Sequence, residues 1–194
     1  MDSATLSAPD ALASAVRKVR WRLLPIFVVM FIVNYIDRVN VSFIKPQLEA
    51  SLGIGATAYG LGAGLFFVGY FFFQIPSNLL LHHIGARRAI TLIVILWGII
   101  SAAGAFIRTE NEFYLQRLLL GASEAGFFPG VILYLTTWFP STIRARIFAI
   151  FLTAIPVAGL IGGPISGYIL ENVDGAGLQA WQWLFILEGL PCAL

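Results

Sequence analysis

Five stretches of this sequence, at about residues 23–44, 58–81, 89–107, 113–139 and 148–170, are apolar over lengths that match a bilayer's hydrocarbon core. Crossing that core takes about 20 helical residues, and in lipid every backbone N–H and C=O must find its partner inside the chain. Segments of this kind can therefore be read as membrane-spanning helices. Composition agrees: 59% of residues are hydrophobic and 11% are charged, whereas soluble domains carry roughly 25% charged residues. The fold class expected is an all-α membrane protein. A sixth apolar stretch, about residues 183–194, is too short to cross the core, so the sequence predicts a truncated sixth helix and a chain that is a fragment of a longer protein.

Orientation follows from the basic residues. Arg17, Lys18, Arg20 and Arg22 precede the first span, Arg87 and Arg88 follow the second, and Arg144 and Arg146 follow the fourth. Basic loops stay in the cytoplasm, so the N-terminus is expected there, with an even number of crossings before each basic loop. A lipid-surface site is the competing reading of the first cluster. Residues 1–22 are read as a cytoplasmic basic tail, mobile and rich in Ala and Ser over 1–16, and not as a cleaved signal. Residues 23–194 form the bundle. Lys45, Pro46 and Glu49 mark a first external loop, Arg108, Glu110 and Glu112 a second, and residues 171–182 a third.

Inside the fourth span lies Arg117–Gly130, RLLLGASEAGFFPG. On a helix Arg117, Gly121, Glu124 and Phe128 fall at i, i+4, i+7 and i+11, along one face. Arg117 and Glu124 are separated by two turns, roughly 10 Å of axis, and are too far apart to pair. Each must look to another helix or to water. The first span adds Asn34, Asp37 and Arg38 at i, i+3 and i+4, a face that cannot all be hidden in lipid. An ionisable residue within a span costs about 2.5–3.5 kcal/mol, which makes a functional reading the default and a structural interhelical ion pair the alternative.

The remaining spans carry weaker signals. Gly60, Gly62 and Gly64 offer a thin surface for close helix approach, and Tyr70, Gln74 and Ser77 a polar stripe, on span 2. Pro76 and HHIGARR end that span. Span 3 has no charge and is assigned a packing role. Pro129 is expected to kink span 4 near its middle, and Gly159, Gly163 and Gly167 to form a packing groove on span 5, where Pro164 bends the axis. The single cysteine, Cys192, allows no intrachain disulfide, and His82 and His83 read as an interfacial pair, not a metal site.

Asp37, Arg38, Arg117 and Glu124 would together cost roughly 10–14 kcal/mol if left alone in the membrane. Asp37 with Arg117, or Arg38 with Glu124, are the natural pairs. Two cations in a dry cavity suit a small anion, above all a carboxylate that arginine can grip with two parallel hydrogen bonds. Two carboxylates beside them can carry protons, since their ionisation responds to burial and to nearby charge. Proton-coupled transport of an organic anion is the chemistry these residue types suggest.

The motifs NYIDRVNVSF, QIPSNLLLHHIGARR, RLLLGASEAGFFPGVILYLTTWFP and RARIFAIFLTAIPVAGLIGGPISGYIL carry a resemblance over nearly all of residues 20–194. The chain resembles the N-terminal half of a major facilitator superfamily transporter of the anion:cation symporter family, most of all the bacterial tartrate, phthalate and related organic-acid permeases. The resemblance implies an N-terminal six-helix bundle, one of two halves rocking about a central site, each built from inverted three-helix repeats. It implies Asp37 and Glu124 as proton-coupling carboxylates, Arg38 as the arginine that meets the substrate, and Arg117 as the link between substrate and proton site. Asn34, Tyr35, Tyr70 and Gln74 are further candidate substrate contacts, and Gly85, Arg87 and Arg88 match the end of a gating loop. His82 and Asn78 depart from that loop's usual acidic residue and glycine. The partners expected are a small organic anion, the lipid bilayer and the missing C-terminal half, with no nucleic acid. No cofactor or metal is expected, protons being the coupling ion, and the location implied is a bacterial inner membrane.

Two other classes compete. Gly159, Gly163, Pro164 and Gly167 resemble a glycine–proline motif of drug antiporters, which would make the protein a proton-driven exporter. A non-transporting sensor or paired half-transporter is the other. The sequence holds no nucleophile–base set or phosphate loop, which argues against an enzyme.

Overall fold

The computed structural model describes residues 8–175 and 177–193. Among them the chain forms α1 (Ala8–Asn40), α2 (Lys45–Leu52), α3 (Ala56–Ile84), α4 (Ala86–Ala103), a 3-10 turn (Gly104–Phe106), α5 (Glu110–Glu124), α6 (Phe127–Trp138), α7 (Ser141–Leu152), α8 (Ala154–Asn172) and α9 (Ala180–Ala193). Five continuous units, Val16–Asn40, Ala56–Ile84, Ala86–Phe106, Glu110–Trp138 and Ser141–Asn172, are long and apolar enough to cross a membrane. The bundle has an apolar outer surface around an apolar core that also encloses a few charges. Phe71 is 71% and Leu160 76% exposed, while Arg117 is 2% and Glu124 1% exposed. Apolar side chains face outward and the charges lie within, as a lipid solvent requires.

Two spans are each built of two helices, for one reason. Pro129 has no N–H to give the carbonyl of Ala125, and Pro156 none to give that of Leu152. The helical ladder breaks at those places, between α5 and α6 and between α7 and α8. The kink expected from Pro129 thus falls one turn ahead of it, immediately after Glu124. Pro76 behaves differently from expectation: it lies inside α3, which continues to Ile84 and stops at Gly85, whose φ of 84° suits glycine. Three further differences concern the loops and tail. Residues 8–16, expected as part of a mobile tail, and the basic cluster after them belong to α1, since an Ala-rich run with a proline in its first turn is a good helix start. The expected loop at Lys45–Glu49 is the helix α2, again with proline in its first turn, and Leu48 on it is buried. Residues 180–182, expected in the last loop, open α9.

Apolar clusters lie toward either end of the bundle. One gathers Leu24, Phe27, Phe31, Phe127 and Phe151, with the rings of Phe31 and Phe151 stacked at 4.7 Å. The other gathers Ile44, Leu48, Phe113, Trp181 and Phe185. A smaller cluster, Phe66, Trp97 and Leu120, forms a third. The tightest helix contact joins α3 and α5. A Cβ on Gly69 would collide with the Leu118 carbonyl, and one on Gly121 with the Phe66 carbonyl. Each glycine lets the other helix's backbone in. The expected thin surface is only partly used: Gly62 packs on the Phe113 ring, whereas Gly60 and Gly64 meet nothing. On α8 the buried face runs through Ala158, Gly162 and Ser166; of the three glycines expected to form the groove, Gly163 meets the Phe43 ring, while Gly159 and Gly167 look into open space. The groove is offset by one residue from the one read from sequence, because small residues occupy both registers.

Helix ends are satisfied locally. Thr109 accepts from the Glu112 amide at 3.3 Å to cap α5, with Glu110 and Glu112 in its first turn. At the end of α6 Arg144 Nη2 donates to the carbonyls of Thr136 and Phe139, each at 3.1 Å.

Candidate anion and proton site

α1, α4 and α5 bring the polar residues together. Glu124, the last residue of α5, accepts at Oε2 from Arg38 Nη2 at 2.8 Å and from Asn34 Nδ2 at 2.9 Å, both on α1. Of the two pairs read from sequence, Arg38 with Glu124 is the one formed, and it is the one ion pair among the described residues. The Arg38 side chain is 23% exposed while Glu124 is fully enclosed. A cation at a partly open edge is therefore anchored to a carboxylate inside.

Asp37 does not pair with Arg117. Its Oδ2 accepts from Trp97 Nε1 at 2.7 Å and its Oδ1 from Ser101 Oγ at 2.5 Å, both on α4. Span 3, expected only to pack, thus supplies the two donors that hold a buried carboxylate. Sequence alone gives one signal for them: Trp97 and Ser101 stand at i and i+4, so two polar groups share a face of an otherwise apolar helix.

Arg117 is buried on α5, and its Nε and Nη1 have no hydrogen-bond partner among the described residues. Its guanidinium lies over the Phe66 ring, Cζ 4.9 Å from the centroid. Arg38 lies over the same ring at 5.2 Å and over Tyr70 at 5.0 Å. Tyr35 and Gln74 are half-buried and make no side-chain hydrogen bond to this set among the described residues. Gly85, Arg87 and Arg88 are exposed at the α3–α4 corner, ~22 Å along the helix from Tyr70. They are separate from the charged cluster.

Glu188 on α9 is a buried carboxylate that sequence reading passed over. Its neighbour Gly189 meets α4 where a Cβ would stand 2.6 Å from the Gly98 carbonyl oxygen, beside Trp97 and Ser101. Glu188 is also within electrostatic reach of Asp37. An acidic residue in the apolar run WLFILEGL was the available signal, by the rule that pointed to Asp37 and Glu124. Cys192 lies where side chains are outside the described set. No group of three or more His, Cys, Asp or Glu that could hold a metal occurs among the described residues.

Membrane-length helices enclosing buried charges define a polytopic membrane protein. Residues 27–194 match the family model described as Major Facilitator Superfamily, and the chain belongs to that family. It is 44% identical over 185 residues to a protein of Agrobacterium vitis named "Putative tartrate transporter", covering 95% of this chain and 41% of that one. It is 49% identical over 180 residues to a "Quinolone resistance transporter" of Acinetobacter baumannii, covering 92% and 41%. The fold matches the crystal structure of a bacterial homolog of the human lysosomal transporter Spinster, inward-facing and unoccupied. The TM-score there is 0.78 and the identity 18%, over 90% of this chain and 41% of that one. The chain thus spans about two fifths of the length of the relatives it matches.

Proposed function

We propose that this chain forms one wall of a secondary transporter that takes up a small organic anion together with protons. The observation that carries the reading is Arg117: a buried guanidinium with unpartnered donors, beside an Arg38–Glu124 pair that reaches a partly open edge. An incoming carboxylate would satisfy those donors and draw on Arg38, competing with Glu124 for it. Glu124 and Asp37 are the groups proposed to take up protons. Binding of the anion and protonation of Glu124 then favour one another through the shared arginine. The N-terminus is assigned to the cytoplasm of a bacterial inner membrane, and the opposite wall to a second six-helix half. The test is uptake of labelled tartrate, phthalate and a sugar acid by cells expressing the protein. Saturable, acid-stimulated uptake lost in Arg38→Ala and Arg117→Ala supports the reading, and unchanged uptake in Arg38→Ala rejects the site.

A second reading, proton-driven export, draws on the resistance-named relative, which is as similar to this chain as any described above. Energy-dependent lowering of cellular quinolone, unaffected by Arg38→Ala, would favour it.

A further inference from the structure

Two guanidinium groups stand over one buried ring. Phe66 is 1% exposed, and the Cζ atoms of Arg38 and Arg117 lie 5.2 Å and 4.9 Å from its centroid. The face of an aromatic ring is the negative part of its quadrupole and attracts a cation within about 6 Å. This ring is also fixed in place. The Phe66 carbonyl packs against Gly121 of α5, and the Tyr70 ring stacks on Phe66 at 6.2 Å and 29°. Arg38 has Glu124 as its carboxylate; Arg117 has no carboxylate at ion-pair distance among the described residues. A buried cation needs some attractive surface. A carboxylate in that place would supply it, but would also neutralise the charge and compete with an arriving anion. A ring attracts the cation and leaves its N–H donors unused.

We propose that Phe66 is a positioning residue whose ring holds Arg117 and Arg38 ready for the same anion without neutralising Arg117. Its functional half rests on the anion-transport reading; the ring–cation contact itself does not. The experiment introduces mono-, di- and trifluorinated phenylalanine at position 66, which weakens the negative face at nearly constant shape. Labelled tartrate is the transport probe in reconstituted vesicles. KM is expected to rise with each fluorine, reaching about tenfold at three, with turnover little changed. A flat KM across the series, with tartrate carried, overturns the proposal. A second measurement needs no transport: thermal unfolding of Phe66→Leu, Arg117→Met and the double variant, with trifluorophenylalanine replacing Leu should Phe66→Leu not fold. Coupled effects support the contact and additive effects reject it. If no anion is carried, the transport reading fails while the unfolding cycle still decides on the ring.

Discussion

Asp37 and Arg38 are consecutive residues of α1 that reach different helices. Asp37 accepts from Trp97 and Ser101 on α4, and Arg38 donates to Glu124 on α5. One helical step turns the side chain by about 100°, enough to place an anion against one neighbour and a cation against the other. α1 is thereby held by polar contacts on two sides. Arg117 keeps two buried donors, Nε and Nη1, without a partner among the described residues, and Arg38 keeps one, Nε.

Glu124→Gln keeps the shape of the side chain but removes its charge and its exchangeable proton. On the proton-coupled reading proposed above, uptake driven by an imposed pH gradient is expected to be abolished in this variant and in Asp37→Asn. Acid-stimulated uptake at the parent rate in both would place the protons on other groups.

Ser101→Ala and Trp97→Phe each strip one donor from the buried Asp37 carboxylate. Each is expected to destabilise the bundle by about 1–3 kcal/mol, read as a lowered unfolding temperature in detergent. Ser123→Ala is the control, because Ser123 Oγ bonds only the Leu120 carbonyl of its own helix, and a change within about 0.5 kcal/mol is expected.

Gly121→Ala drives a methyl into the Phe66 carbonyl, which only movement of α3 away from α5 could relieve. A loss of about 2 kcal/mol or more is expected. Gly64→Ala, on the open side of α3, should be neutral or slightly stabilising. Equal behaviour of the two variants in thermal unfolding would contradict the close contact.

Arg144→Met leaves the carbonyls of Thr136 and Phe139 without their charged donor. Hydrogen exchange in the last turn of α6 should accelerate, with a stability loss of about 1–2 kcal/mol. Arg146→Met, at an exposed position, should change neither quantity.

The crossing helices were legible because apolar length is a direct statement about a bilayer, and the α1 polar face because Asn34, Asp37 and Arg38 share helical spacing. The partner of Glu124 was legible as one of two alternatives. The partners of Asp37 were not, since Trp97 and Ser101 are uncharged and lie in a span with no ionisable residue. Glu188 obeyed the same rule as Glu124 but stood in a stretch too short to read as a span. The register of the α8 groove was lost because Ala158 and Ser166 are as permissive as Gly159 and Gly163. α2 was lost because a proline that ends one element also starts another: Pro46 reads as a loop and serves as a first-turn residue.

The close approach of α3 and α5 at Gly69 and Gly121 fixes more than two helices. Phe66 and Arg117 are carried by segments whose main chains touch, and burial to 2% exposure confines the Arg117 side chain beside the ring. Ordering that arginine therefore costs conformational entropy at folding and little at encounter. On the transport reading proposed above, an anion would find this one arginine already placed, and the adaptable part of its binding would fall to the other groups of the site.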